Sequence, residues 1–317
     1  MKNSIFFSAL LALSFSCSTV DNSETEQAFA MKIRANKHTS TDYNVVGTKY
    51  AAATIAMQAA YNRLIYSLKK NEAVSIIAEV DHEKNAKSVG LELNPTRVVF
   101  FGNPVLGTPL MQKNQLAGLD LPQHVLFFRN EKMEDYAMYN SVEYLKSRYD
   151  LEGVATLEKI SGALQNLVSD ATKSEIKSAS GQTVSYADGI IIKESSQDFE
   201  STYSNLQNAI LSNPNLKIVA ELDHQKNAES VGLDLRPTRI IIFGNPNLGT
   251  PLMQDEQTVG LDLPQKMLVY QDENGNVFVA YNDLFYLKER HMLDSSDEQL
   301  QMISNALNNL SNAAVGM

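Results

Sequence analysis

Phe101-Gly102-Asn103-Pro104, continuing through Leu106-Gly107-Thr108-Pro109-Leu110-Met111-Gln112, is the stretch on which the reading of this chain turns, because it occurs twice. The second copy runs Phe243-Gly244-Asn245-Pro246 and Leu248-Gly249-Thr250-Pro251-Leu252-Met253-Gln254, 142 residues later (244 − 102). Glycine reaches backbone angles closed to other residues, and proline turns the residue before it away from the α region. Residues 98–101 and 240–243 therefore read as strands that end in a sharp turn. A helix should follow, with Thr108 or Thr250 as N-cap and Pro109 or Pro251 at its first position.

The offset holds without a gap between residues 79–151 and 221–293, where 41 of 73 positions are identical. Such identity marks a duplication. Its period is far longer than a solenoid unit, so each copy reads as a complete globular domain. Copy one opens with a strand at 43–49 and a helix carrying Met57, Tyr61, Leu64 and Leu68 on one face. Copy two has a clearer strand at 189–193 and a helix with Phe199, Tyr203, Leu206 and Ile210, for which Ser196 is the expected N-cap.

Strands at 74–80 and 216–222 come next, ending in Asp81-His82 and Asp223-His224. Each leads to a short helix stopped by Gly90 or Gly232. Beyond the Gly-Asn-Pro turn lie strands at 125–129 and 136–139, matched by 267–271 and 277–281. Asp272-Glu273-Asn274-Gly275-Asn276 is a hairpin signal between the last two. A closing helix repeats around Ile160 and Ile303. The expected fold class is α+β: two tandem β-α-β4-α sandwiches, each an antiparallel sheet with helices on one face. The domains are placed at 43–172 and 187–317, joined by a Ser- and Lys-rich linker at 173–186.

Residues 1–17 have the form of a short secretory signal that ends at Cys17, the one cysteine of the 317-residue chain. Cys17 resembles the acylated cysteine of bacterial lipoproteins, although Phe15 is bulkier than that pattern normally holds; a plain cleaved signal is the alternative. Residues 18–42 read as a flexible tether. These features put the domains at the cell envelope, lipid-anchored on the outer membrane or surface of a Gram-negative bacterium. With no cysteine in the folded region, disulfides and thiolate chemistry are excluded there. A net charge of −10 without a basic cluster argues against nucleic acid as a partner.

The combination of Asp-His, Lys-Asn-Ala, Val-Gly-Leu, Pro-Thr-Arg, Phe-Gly-Asn-Pro, Leu-Gly-Thr-Pro-Leu-Met, Asp-Leu-Pro and Tyr-Asn in each copy resembles the bacterial family called domain of unknown function 302. The resemblance spans both domains. It implies a fold similar to the TATA-binding-protein class and a tendency of single domains to pair, and it implies no established activity. Copy one departs from copy two at Asn94, where Arg236 stands in the second copy.

The candidate ligand-binding residues are His82, Asn85, Asn103, Asp120 and Tyr139 in copy one. Their counterparts are His224, Asn227, Asn245, Asp262 and Tyr281. An Asp-His pair at a strand end serves as an acid–base pair or a metal ligand with its support, or else the Asp simply caps the next helix. Arg97 is expected to pair with Asp120, a substrate clamp being the alternative. Each His is expected to border a pocket with the Asn of its own copy, and the two copies are expected to pack through equivalent surfaces. No nucleotide loop, zinc-type His pair or serine elbow is present. Neither a cofactor nor a metal is identified by the sequence.

The leading functional reading is a non-catalytic module that binds or senses a small ligand or metal. A hydrolase-type enzyme using the Asp-His and Tyr-Asn groups, and a structural or partner-docking lipoprotein, remain alternatives.

Overall fold

The computed structural model describes residues 42–295 and 297–317. The expected signal peptide, Cys17 and all but the last residue of the expected tether lie outside the described residues. Among the described residues no helix is long and apolar enough to cross a membrane.

The first half runs β1 (Thr48–Ala52), α1 (Met57–Lys69), β2 (Ser75–Asp81), α2 (His82–Ser88), β3 (Thr96–Gly102) and α3 (Pro104–Lys113). A 3-10 turn (Gln115–Asp120), β4 (Gln123–Arg129), β5 (Asp135–Asn140), α4 (Val142–Arg148) and α5 (Leu157–Thr172) complete it. After the short β6 (Lys177–Ser178), the second half repeats the order as β7 (Ile190–Ser195), α6 (Phe199–Leu211), β8 (Lys217–Asp223), α7 (His224–Glu229), β9 (Thr238–Gly244) and α8 (Pro246–Asp255). A second 3-10 turn (Gln257–Leu261), β10 (Gln265–Gln271), β11 (Val277–Asn282), α9 (Leu284–His291) and α10 (Asp297–Val315) follow. The sheet orders are β2-β3-β4-β5-β1-β6 and β7-β11-β10-β9-β8. Every pairing is antiparallel. The α+β class with two similar sheets follows directly from these orders.

Alternation along the strands decides what each face does, since successive side chains point to opposite sides. Val99, Phe101, Val125 and Phe127 share a core with Leu64, Leu68, Leu164 and Val168 of α1 and α5. The intervening Val98, Phe100, Leu126 and Phe128 are buried just as fully. The second 3-10 turn packs there, against β3, β4 and β5, and the first 3-10 turn packs reciprocally on β9, β10 and β11. A Cβ built on Gly118 would fall 2.9 Å from a Leu268 methyl, and one on Gly260 would fall 3.1 Å from a Leu126 methyl. Glycine at these two positions permits the close approach of turn to sheet.

The polar contacts across this seam are reciprocal as well. Gln115 Nε2 donates to Thr238 Oγ1, and Gln257 Nε2 donates to Thr96 Oγ1, both at 2.8 Å. Gln112 donates to the Asp234 carbonyl at 2.7 Å, and Gln254 to the Glu92 carbonyl at 2.6 Å. Arg236 Nε, at the position where copy one has Asn94, adds a 2.9 Å bond to Gln115 Oε1.

Several local expectations are corrected. The helix after the turn begins at Pro104 and Pro246, because Asn103 and Asn245 are the caps, each accepting from the amide two residues on at 2.9 and 3.0 Å. Thr108 and Pro109 therefore lie inside the helix. Asp198, rather than Ser196, caps α6 by accepting from Ser201 N at 2.9 Å. The first strand starts at Thr48, and the expected linker contributes β6 to the edge of β1. Arg97 pairs with Asp81 at 2.6 Å and not with Asp120. The register explains this last point, because Asp81 lies directly opposite Arg97 across the β2–β3 ladder.

Candidate functional site

The geometry of the site begins with the same ladder. Asp81 faces Arg97 at one end of β2–β3, and Ser75 faces Gly102 at the other. At about 3.3 Å per residue, His82 and Asn103 are separated by roughly 20 Å of strand. His82 therefore does not share a pocket with Asn103, nor His224 with Asn245. Asp81 and Asp223 are helix caps, accepting from Lys84 N at 2.9 Å and Lys226 N at 3.0 Å, and each is also paired with an arginine.

The short helices carry the histidines across the seam instead. α2 packs on α8 of the second half, and α7 packs on α3 of the first. His82 and Asn85, one turn apart, line a cavity of about 720 Å³ whose other walls come from the second half, including Asn245, Thr250 and Gln265. His224 and Asn227 line a cavity of about 180 Å³ whose other walls come mainly from the first half, including Asn103, Thr108 and Gln123. Each cavity lies at the Gly-Asn-Pro end of one sheet and is completed by the histidine of the other half. Its apolar wall is shared between the helix after that turn and the closing helix, through Leu106, Met111 and Leu164 in one and Leu248, Met253 and Leu307 in the other.

Both histidines are buried, and burial pushes each imidazole down from the ordinary 6.5 to about 4, so both rings are neutral at neutral pH. The backbone at Gly260 and Leu263 faces the His82 ring, and the backbone at Gly118 faces His224. His82 Nε2 and His224 Nε2 nevertheless lack a hydrogen-bond partner, as do Gln123 Nε2, Gln265 Nε2 and Thr250 Oγ1. Buried polar atoms are normally satisfied, and these five, each on a residue that lines a cavity, are themselves shielded from the cavity space. Neither cavity is lined by a carboxylate.

Asp120 and Asp262 lie elsewhere, at the centre of the seam. Asp120 accepts from Arg148 at 2.9 Å, from Tyr149 Oη at 2.6 Å and from Lys266 Nζ of the other half at 3.3 Å. Asp262 accepts from Arg290 at 2.8 Å and pairs with His291 Nε2 at 2.7 Å. Burial would raise both carboxyls, but these cations hold them well below the usual carboxylate range. The two arginines also cross the seam: Arg148 donates to Asn282 Oδ1 at 2.9 Å, and Arg290 donates to Asn140 Oδ1 at 2.6 Å.

Tyr139 and Tyr281 belong to the two hydrophobic cores and line neither cavity. The Asp-His and Tyr-Asn groups are thus distributed over cap, cavity, core and seam. Among the described residues no group of three or more His, Cys, Asp or Glu side chains is arranged to hold a metal. Sequence reasoning passed over Gln123 and Gln265 and took Thr108 and Thr250 only as helix caps, although all four sit inside the duplicated blocks. It also passed over Arg148 and Arg290, whose signal was an arginine four residues after a tyrosine on an otherwise apolar helix face.

The family model described as "Domain of unknown function DUF302" matches residues 50–167 and again 191–310. Among curated proteins, the "Fluoride-specific ion channel FluC 1" of Brucella suis biovar 1 is 45% identical over 83 residues, which is 26% of this chain and 33% of that protein. The protein of the same name from Brucella abortus biovar 1 matches at 45% over 83 residues and 31% of its length. This chain thus spans about a third of the curated relatives it matches. A crystal structure of an uncharacterized conserved DUF302 protein from Bacillus stearothermophilus aligns with 40% of this chain and 99% of its own, at 19% identity and a TM-score of 0.37.

Proposed function

Since the chain belongs to the DUF302 family, whose model matches both of its halves, we propose that it is a non-catalytic module binding small, largely apolar molecules in two cavities between those halves. The observation that carries this reading is the pair of cavities itself, each walled mainly by one half and completed by a histidine and an asparagine of the other, His82 and Asn85 in one and His224 and Asn227 in the other. Ligand pockets are concave and mostly apolar with a few convergent polar groups, which is the composition of both walls. The hydrolase reading is weaker, because Asp81 and Asp223 are held by amides and arginines and no carboxylate reaches either cavity. The channel activity named for the Brucella relatives is not extended to this chain, which shares only 26% of its length with them.

We place the module at the cell envelope, carried by an acylated Cys17. Two or three acyl chains give the stable attachment that one chain does not. Cys17→Ser should abolish palmitate labelling and release the protein from membranes; unchanged labelling would contradict the anchor. For the cavities, saturable fluorescence enhancement of N-phenyl-1-naphthylamine by the full chain is the expected result. Ala306→Trp and Ala163→Trp, each placing a bulky ring on the wall of one cavity, should remove it. Absence of saturable uptake would favour a purely structural role.

A further inference from the structure

The two cavities share their walls residue for residue except at one rim. Equivalent lining residues are identical apart from Val74, Ser75 and Ile77 of the first, which stand where the second has Leu216, Lys217 and Val219. These positions lie at the start of β2 and β8, the edge strands of the two sheets. The ladder slips by one residue in each strand, at Ile77 and at Val219, and a bulge of this kind re-aims a side chain. Both residues line a cavity.

These differences change capacity and charge together. Leu222 lines the first cavity from the other half, whereas its shorter counterpart Val80 does not line the second, and Ile77 is a methylene longer than Val219. A cavity on the order of 150 Å³ takes benzene. The first, at about 180 Å³, therefore holds a ring-sized group, and the second, at about 720 Å³, a much longer molecule. Lys217 is the one charged side chain lining the second cavity; it is exposed and forms no ion pair among the described residues. The first wall carries no charged side chain. Asn215, where copy one has Ala73, adds an exposed amide to the same rim. The buried part of the second wall is mostly hydrocarbon, from Leu252, Met253, Leu263, Ile303 and Leu307. A tail that leaves water for this wall gains affinity with every methylene. A carboxylate that stays at the rim keeps its hydration, avoids the cost of a buried charge, and meets an ammonium that no acid of the protein neutralises.

We infer that the second cavity binds a single-chain amphiphile with an anionic head, of the fatty acid class, its tail along the hydrocarbon wall and its carboxylate at Lys217 on the rim. This rests on the binding reading above and narrows it to one cavity and one head-group charge. The first cavity, smaller and with the Ser75 hydroxyl in place of the ammonium, does not take this ligand.

The test uses the full chain at pH 7 and three probes of one chain length: decanoate, 1-decanol and decyltrimethylammonium, ranked by competition against N-phenyl-1-naphthylamine. Decanoate should bind about tenfold more tightly than decyltrimethylammonium, since attraction in one case and repulsion in the other both act at the exposed lysine. Lys217→Ser, which gives the rim its copy-one residue, should weaken decanoate about threefold to fivefold and leave 1-decanol within about twofold. Sodium chloride at about 1 M, where charges are screened beyond about 3 Å, should have the same effect on the unaltered protein. Ala306→Trp should abolish decanoate binding. Undiminished decanoate affinity in Lys217→Ser would overturn the inference, and so would decanoate retained by Ala306→Trp. Equal affinity for decanoate and decyltrimethylammonium in the unaltered protein would also overturn it, an arm that needs no variant to fold. In all three of those outcomes the binding reading stands. If the dye binds and no probe displaces it, this inference alone falls; if neither the dye nor any probe binds, the binding reading falls with it.

Discussion

The two halves hold equivalent carboxylates in different ways. Asp120 has Arg148, Tyr149 and, from across the seam, Lys266, whereas Asp262 has Arg290 and His291. The counterpart of Lys266 in copy one is His124, whose Nε2 has no partner, and Asp262 Oδ1 has none either. In a symmetric pair of identical domains the two sides of the seam could not differ. Duplication within one chain lets one side take a lysine long enough to reach the opposing carboxylate. The other side keeps a shorter, neutral imidazole, pushed down to about 4 by burial and by the nearby Lys266. The cavities diverge in the same manner, with capacities of about 180 and 720 Å³ built on nearly the same wall residues.

Among single substitutions, the largest effect should come from breaking the better-satisfied carboxylate. Arg148→Ala removes a fully buried partner of Asp120 and also the bond to Asn282, so about 3–5 kcal/mol of stability should be lost in urea denaturation. Lys266→His, which makes copy two resemble copy one, should cost less, about 1–2 kcal/mol, because Arg148 and Tyr149 remain on Asp120. A cost for Lys266→His equal to that for Arg148→Ala would mean that the asymmetry is not carried by the lysine.

Acid should act next. His82, His124 and His224 are each neutral in the fold, with pKa values lowered from 6.5 to about 4. The unfolded chain therefore binds more protons between those values, and stability is full above pH 6.5 and falls as pH drops towards 4. Each group contributes on the order of 3 kcal/mol to that loss. Asp120 and Asp262 have folded values below the ordinary 3.8, so their contribution is intact there and is lost only at lower pH. Denaturation midpoints measured from pH 7.5 to 4 should fall steeply, and less steeply in His82→Phe. A flat profile over this window would show that the rings are not buried neutral.

The smallest effects should come from the turn itself. Asn103→Ala and Asn245→Ala each remove one cap bond, at a cost of about 1 kcal/mol. Equal costs in the two halves would confirm that the turn serves folding alike in both, and that divergence is confined to the seam and the cavities.

Much of the fold was legible because the repeated blocks carry local signals. The faces of α1 and α6 are set by period, with Met57, Tyr61, Leu64 and Leu68 buried together in the first. Gly90 and Gly232 end their helices at φ values of +75° and +73°, where a side chain would be strained rather than crowded. The site was less legible, since the reading paired each histidine with the asparagine of its own copy. The connection between Asp81 and Thr96 reaches the dozen or so residues that a parallel crossover needs, so its length did not decide whether β2 and β3 run antiparallel. Once they do, the two motifs separate, and only a partner domain can bring a histidine to a Gly-Asn-Pro turn. Arg148 and Arg290 were invisible for a related reason, because their partners Asn282 and Asn140 lie 134 and 150 residues away in the chain.

The most direct test of the cross-half site is a nuclear Overhauser experiment on the full chain with labelled histidine and leucine. The His82 ring protons should show contacts to Leu263 and Gly260 of the second half, and the His224 ring should show contacts to Gly118 of the first. Contacts from His82 to Leu121 and Asn103 of its own half, with none to Leu263, would contradict the account.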